Sequence, residues 1–148
     1  MSPTFDLAPF QDPLIIQRVL HNAKTIAIVG LSKNHLRASN FVGFYLRRHG
    51  YRVIAVNPRE TEILGERSYP SLIDVPERID IVDVFRRPED VPSIADDAVT
   101  IGAKALWLQT GIVSEDAAAR AQAGGLIVVM DKFIGATHSL LHISSKRP

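Results

Sequence analysis

Side chains able to bind a phosphate group follow the short apolar segments of this 148-residue sequence. Gly30 and Ser32 follow the segment 25–29, and Arg59 lies shortly after the segment 51–56. Further donors and cations in equivalent positions are Lys33, Arg37, Asn57, Arg86, Arg87, Gln109 and Lys132. Glycine turns, hydroxyl groups and guanidinium groups supply the hydrogen bonds that hold phosphorylated ligands. These positions therefore predict a phosphate-binding site.

Charge alone does not locate that site, because charged residues also lie at the starts of the apolar segments: Lys24, Arg52, Arg78 and Lys104. The distinguishing feature is Gly30, which ends a mostly β-branched segment just before a helical pattern. A buried parallel strand that ends in a ligand-facing turn has this pattern.

Five apolar segments alternate with helical segments along the chain: 25–29, 51–56, 79–85, 105–109 and 126–130. Such alternation predicts right-handed crossovers and a parallel sheet with helices on both faces. We therefore predict an α/β fold, a Rossmann-like three-layer domain with a five-stranded parallel sheet. The predicted strand order is 3-2-1-4-5, which places 79–85 beside 51–56.

The helix starts are predicted from capping residues. Asp12 followed by Pro13 predicts a helix in an N-terminal extension, residues 1–22, and Ser39 and Ser114 predict the caps of two later helices.

The whole chain, residues 1–148, is predicted to be a single domain. Residues 61–76 predict only a short helix near Leu72, and residues 133–148 are expected to form an irregular C-terminal tail with at most a short helix. Trp107 is expected in the core or in a subunit contact. Exposed sheet edges are compatible with a homodimer.

The composition excludes several classes of function. The formal net charge of +1 gives no broad basic surface for nucleic acid, and no segment reaches the roughly 18 apolar residues that span a bilayer. The absence of cysteine removes thiol chemistry and fits a reducing compartment. We expect a soluble cytoplasmic protein with a small-molecule nucleotide ligand and no nucleic-acid or membrane partner.

No catalytic residue and no metal site are predicted. His138 and His142 lie four residues apart but lack a third ligand. Ser32 has no companion histidine and acid in a nucleophile elbow. Asp80 and Asp83 lie three apart in a strand and therefore point to opposite faces.

The turn at Gly30 departs from the dinucleotide-binding pattern, because Ser32 stands where a second glycine is required. The second strand ends in Asn57, Pro58 and Arg59, with no carboxylate for a ribose diol, which disfavours NAD. An arginine there suits a ribose phosphate, as in NADP or in the 3′-phosphate of coenzyme A (CoA). An NADP-binding oxidoreductase-like protein and a protein-interaction domain on a degenerate Rossmann scaffold are therefore alternatives.

Six segments together resemble one family: VGLS (29–32), YRVIAVNP (51–58), ILGE (63–66), YPSL (69–72), IVDVFR (81–86) and LQTGI (108–112). The family is that of the small stand-alone CoA-binding domain proteins, which are similar to the N-terminal domain of the succinyl-CoA synthetase alpha subunit. The resemblance covers residues 23–130. It implies a Rossmann-like fold that binds CoA across the carboxyl edge of the sheet. From the combined strand-end pattern, the leading hypothesis is a non-catalytic or regulatory module that binds CoA or an acyl-CoA.

The resemblance also implies the site residues. The phosphates would be held by Gly30, Leu31, Ser32, Lys33, Asn34, Arg37 and Ser39. The adenosine phosphate would lie at Asn57, Pro58 and Arg59, and the pantetheine or adenine would lie beside Phe85 and Arg86. The opposite wall would be formed by Gln109, Thr110, Gly111 and Ile112.

Two departures from related proteins limit what the resemblance implies. The phosphorylated histidine of the synthetase belongs to a later domain without a counterpart in this sequence, so ligase activity is not inferred. Family members often have a basic residue and a cysteine after the aspartate of the last strand, whereas Asp131 and Lys132 are followed here by Phe133.

Overall fold

The computed structural model describes residues 5–146, in which seven strands form one sheet flanked by helices. The strands are β1 Thr25–Val29, β2 Arg52–Val56, β3 Glu62–Ile63, β4 Glu66–Tyr69, β5 Ile81–Val84, β6 Ala105–Leu108 and β7 Ile127–Val129. The α-helices are α1 Pro13–Asn22, α2 Ala38–Arg48, α3 Val91–Thr100, α4 Glu115–Ala123 and α5 Ile134–Leu140.

The sheet has the order β3-β4-β2-β1-β5-β6-β7, and all of its pairs are parallel except β3 with β4. The Rossmann-like α/β prediction is confirmed, but the predicted strand number and order are wrong. β5 pairs with β1 rather than with β2, and β4 occupies the place beside β2.

The missed strands form a short hairpin. Its two-residue turn, Leu64 and Gly65, has positive φ at both positions, +56° and +75°, which matches the twist of a tight hairpin. Charged side chains such as Glu62 and Arg67 fill this edge. The segment therefore lacks the apolar pattern from which strands are predicted, and charge at an edge strand also opposes aggregation.

Alternate strand residues point to opposite faces of the sheet. On one face, Ile26 and Ile28 pack in the core with residues of α1, α2 and α5. On the other, Ala27 and Val29 pack in the core with alanines of α3 and α4. Trp107 is fully buried and its Nε1 donates to the Lys132 carbonyl at 2.8 Å, so it is a core residue.

The helix starts follow the predictions in two of three cases. Asp12 accepts from the Leu14 amide at 2.9 Å, and the Ser114 hydroxyl accepts from the Ala117 amide at 3.1 Å. The predicted Ser39 cap is wrong, because α2 has Arg37 as its N-cap, with no side-chain cap hydrogen bond.

The C-terminal segment contains one short helix, which the prediction for residues 133–148 allowed. Residues 134–140 form α5, which packs beside α2. His138 on this helix is buried, and its Nδ1 lies 2.9 Å from the Tyr45 hydroxyl. Burial, together with the charges of His49 and Lys146, lowers the pKa of His138 to about 4. Tertiary packing thus stabilises a helix that contains Gly135 and Thr137, two poor helix formers.

None of the helices within residues 5–146 combines the length and apolar character needed to cross a membrane. The same residues contain no group of three or more His, Asp or Glu side chains placed to hold a metal ion.

Candidate functional site

Gly30 brings two strand ends into close contact. Its φ is +90°, and a Cβ built on it would lie 2.6 Å from the Phe85 carbonyl oxygen. Side chains rarely tolerate either condition. Glycine therefore allows the loop after β1 to pass directly over the end of β5.

Three side chains hold the loop that follows Gly30. The Ser32 amide donates to the Ser39 hydroxyl at 3.0 Å, and Asn40 Nδ2 donates to the Ser32 carbonyl at 2.9 Å. Asn57 Nδ2 donates to the Leu31 carbonyl at 3.0 Å, and its Oδ1 accepts from the Arg59 amide at 2.9 Å. Asn57 therefore ties the ends of β1 and β2 together and fixes the turn that carries Arg59.

A polar cleft of about 660 Å³ lies over these strand ends. It is lined by Gly30, Ser32, Arg37, Ala38, Ser39, Asn57, Arg59, Phe85, Arg86 and Arg87.

The four arginines of this polar cleft differ in their partners. Arg86 pairs with Asp90 at 3.1 Å, and Arg87 lies 3.5 Å from Glu89 and 3.7 Å from Asp90. Arg37 and Arg59 are exposed, and their guanidinium groups have no ion-pair partner among the described residues. Two unpaired guanidinium groups in one cleft favour an anionic ligand.

The N-terminus of α2 adds to this positive potential. Arg37, Ala38 and Ser39 line the polar cleft, and no side chain caps the first turn. The helix therefore presents its free amides and the positive end of its dipole to the cleft. Phosphate groups bind at such helix ends.

An apolar cleft of about 400 Å³ continues from the polar cleft toward β6. It is lined by Ala38, Phe85, Arg86, Arg87, Pro88, Gln109, Thr110, Ile112 and Phe133, the first four of which also line the polar cleft.

Internal hydrogen bonds fix the walls of this apolar cleft. Gln109 Nε2 donates to Asp83 Oδ1, and Gln109 Oε1 accepts from the Ile134 amide at 3.2 Å. The Gly111 amide donates to Asp131 Oδ1 at 2.6 Å. The polar groups of Gln109 are thus satisfied within the protein, and they lock the start of α5 against the end of β6.

Asp83 is fully buried beneath this edge of the sheet, and its Oδ2 has no hydrogen-bond partner among the described residues. Burial raises the pKa of this carboxyl group to about 8, although the Gln109 hydrogen bond opposes the shift. Asp83 is therefore protonated at neutral pH.

A third cavity of about 240 Å³ adjoins the polar cleft at Gly30 and Arg86. It lies between the ends of β1 and β2 and helix α3, and its walls include Pro58, Leu72 and Ile94.

The structure brings most of the predicted site residues together. Those in the polar cleft are Gly30, Ser32, Arg37, Ser39, Asn57, Arg59, Phe85 and Arg86. The apolar cleft also contains Gln109, Thr110 and Ile112, and Pro58 lines the third cavity.

Four of the residues that the resemblance implies line none of these three clefts, and neither does Lys132, which the strand-end pattern predicted. Leu31 is only 1% exposed and packs in the core. Lys33 pairs with Glu60 at 3.4 Å, and Asn34 accepts from the Leu36 amide. The fourth, Gly111, is held through its amide by Asp131.

Several residues of the site were not among those predicted: Ala38, Pro88 and Phe133 line the clefts, and Asn40 supports the loop. Arg87 lines both clefts, as the strand-end pattern predicted. Pro88 follows it directly, so extending the strand-end argument by one residue would have included Pro88. Phe133 precedes α5, a short helix whose position the sequence pattern did not fix.

An α/β sheet with a glycine turn after its first strand and a cationic cleft at its carboxyl edge defines the Rossmann-like class of nucleotide-binding domains. Residues 24–139 match the family model described as CoA binding domain. The chain therefore belongs to the CoA-binding domain family.

Three similar proteins illustrate this family relationship. The uncharacterized protein YneT of Bacillus subtilis (strain 168) is 38% identical over 125 residues, which are 84% of this chain and 93% of that protein. The structure of a hypothetical protein from Pyrococcus horikoshii OT3 is 33% identical with a TM-score of 0.88, covering 95% of this chain and 99% of that one. Acetate--CoA ligase [ADP-forming] I of Archaeoglobus fulgidus is 32% identical over 74 residues, which are 50% of this chain but only 11% of the ligase.

Proposed function

We propose that this chain binds CoA or an acyl-CoA along the carboxyl edge of its sheet, as a non-catalytic or regulatory module. The observation that carries the proposal is the polar cleft, in which the unpaired guanidinium groups of Arg37 and Arg59 meet the uncapped N-terminus of α2. CoA carries a pyrophosphate and a 3′-phosphate, and this cleft offers donors for both.

Each part of CoA has a proposed place. The pyrophosphate lies between the Gly30 loop and the first turn of α2, where Ser32 and Arg37 contact it. The 3′-phosphate lies against Arg59, held in place by the Asn57 turn. Phe85 and Arg86 border the start of the pantetheine arm.

The non-catalytic part of the proposal rests on polar side chains that are either hydrogen-bonded within the protein or fully buried. Gln109 is engaged at both ends of its amide, and Asp83 is 0% exposed, so neither reaches a bound thioester. The sequence has no cysteine. The likeness to ADP-forming acetate--CoA ligase covers about a tenth of that enzyme, and we do not extend its activity to this chain.

The contact between Arg59 and the 3′-phosphate is tested with two ligands that differ only in that group, CoA and dephospho-CoA. A charged hydrogen bond at an exposed site contributes about 1.5 kcal/mol, so wild-type protein should bind CoA about tenfold more tightly. The Arg59→Gln variant should lose this difference, because the substitution weakens the binding of CoA and leaves the affinity for dephospho-CoA unchanged. Isothermal titration calorimetry measures both affinities.

Arg78→Gln is the matched control, since Arg78 is exposed and precedes β5, at the opposite edge of the sheet. It should retain the full preference for CoA. If Arg59→Gln lost affinity for CoA and for dephospho-CoA equally, the assignment of the 3′-phosphate would be contradicted. If wild-type protein bound neither ligand, the proposed function itself would be contradicted.

A further inference from the structure

The apolar cleft is continuous with the polar cleft, and together they form one path along the carboxyl edge. Ala38 and Phe85 line both clefts. The apolar residues that line the apolar cleft alone are Pro88, Ile112 and Phe133. A ligand whose phosphates occupy the polar cleft can therefore extend into apolar surroundings.

The strand order gives such a ligand a direction. β2, β1, β5 and β6 are consecutive neighbours in the sheet, and they are followed in the chain by Arg59, Gly30, Phe85 and Ile112, respectively. CoA with its 3′-phosphate at Arg59 and its pyrophosphate at Gly30 therefore directs its pantetheine arm across β5. Its thiol end then lies toward Ile112 and Phe133.

We infer that the apolar cleft binds an uncharged aliphatic acyl group, so that this chain is a receptor for aliphatic acyl-CoA in preference to free CoA. The inference rests on the proposed function and names its ligand class. An acyl chain on the CoA sulfur buries its methylene groups against Ile112, Phe133 and Pro88, which favours binding.

A charged acyl group finds no equivalent stabilisation in this cleft. Arg86 and Arg87, the cations that line it, are already paired with Asp90 and Glu89. A carboxylate placed beyond them would lose hydration against apolar walls without a free cation in compensation. The cleft therefore discriminates between acyl groups of equal carbon number by their charge.

Calorimetric titration of the full chain with CoA, acetyl-CoA, butyryl-CoA, hexanoyl-CoA and succinyl-CoA tests this inference. Each methylene that is buried should tighten binding about twofold to fourfold, until the chain outgrows the cleft. Butyryl-CoA should bind at least about tenfold more tightly than succinyl-CoA, which has the same number of acyl carbons but a carboxylate in place of the terminal methyl group.

Ile112→Asn should reduce the ratio of the affinities for butyryl-CoA and free CoA, with both affinities measured on the same variant. Its matched control is Val113→Asn, because Val113 is the next residue, is exposed and does not line the apolar cleft. Phe133→Ala gives the same readout from the opposite wall if Ile112→Asn lowers the melting temperature too far for titration.

The outcomes separate this inference from the function on which it rests. The acyl cleft is supported if affinity increases with acyl chain length and if Ile112→Asn or Phe133→Ala reduces that increase. Equal affinity for CoA and all acyl-CoAs, or a preference for succinyl-CoA, overturns the acyl cleft but leaves CoA binding intact. Absence of binding by every ligand overturns both proposals.

Discussion

Gly30→Ala is expected to lower the free energy of unfolding by about 2–5 kcal/mol and to weaken CoA binding at least about tenfold. Positive φ at a non-glycine residue costs about 1–2 kcal/mol, and forced overpacking costs a further 1–3 kcal/mol or so. The overpacking arises because the new Cβ would meet the Phe85 carbonyl at 2.6 Å. The ends of β1 and β5 must separate to relieve it, which displaces both the phosphate loop and Arg86.

Gly125→Ala separates these two effects. Gly125 has almost the same φ, +88° against +90°, but a Cβ there would meet nothing within 4 Å. It lies at the end of α4, away from the clefts, so this variant should show the cost of φ alone and bind CoA normally. Denaturant unfolding and calorimetry measure both properties. Equal destabilisation and unchanged CoA binding in the two variants would contradict the role assigned to the Gly30 contact.

Asp83→Asn is expected to remove a pH dependence of stability. The folded protein keeps Asp83 protonated up to about pH 8, whereas an unfolded aspartate releases its proton near pH 4. Folding therefore takes up a proton between these values. The stabilisation of the wild type from this group is complete below pH 4 and is lost as the pH rises to about 8, at a slope of about 1.4 kcal/mol per pH unit.

The window from pH 6.5 to 8 isolates this effect. His138 has a lowered pKa, about 4, so its neutral form makes stability rise with pH, but only up to about pH 6.5. Urea unfolding across the window should show a falling free energy of unfolding in wild type and a much flatter profile in Asp83→Asn. Asp74→Asn, at an exposed carboxylate, should retain the wild-type slope. A slope unchanged by Asp83→Asn would contradict the protonated state assigned to Asp83.

The fold class and the location of the site at the carboxyl edge of the sheet could be predicted from sequence, because both depend on local sequence patterns. The five long apolar segments all became strands, and parallel strands bring their carboxyl ends to one edge. Gly30, Arg37 and Arg59 therefore meet at the cleft as predicted. A strand followed by a glycine turn and a helix is specified within a few residues.

The features that were missed depend on contacts between distant residues. β3 and β4 are short and charged, and their pairing depends on a tight turn at Leu64 and Gly65. The strand order was predicted wrongly because this hairpin, not β5, fills the place beside β2. α5 forms because it packs on α2, as the contact between His138 and Tyr45 shows.

Side-chain roles were the least predictable part of the site. Polar residues at a strand end can contact a ligand or support the backbone that does, and composition does not distinguish the two. Ser39, Asn57 and Gln109 all bond to the protein itself. The guanidinium groups of Arg37 and Arg59 have no such partner among the described residues, so they are the side chains most available to an anionic ligand.

The central claim is that the carboxyl edge binds CoA, and side-by-side calorimetric titration of the purified chain with CoA, NADP and NAD tests it most directly. The account predicts saturable binding of CoA at one site per chain, tighter than that of NADP, with NAD the weakest. Tighter binding of NADP would instead favour an oxidoreductase-like protein. No binding of CoA at millimolar concentration would contradict the account and favour a protein-interaction domain.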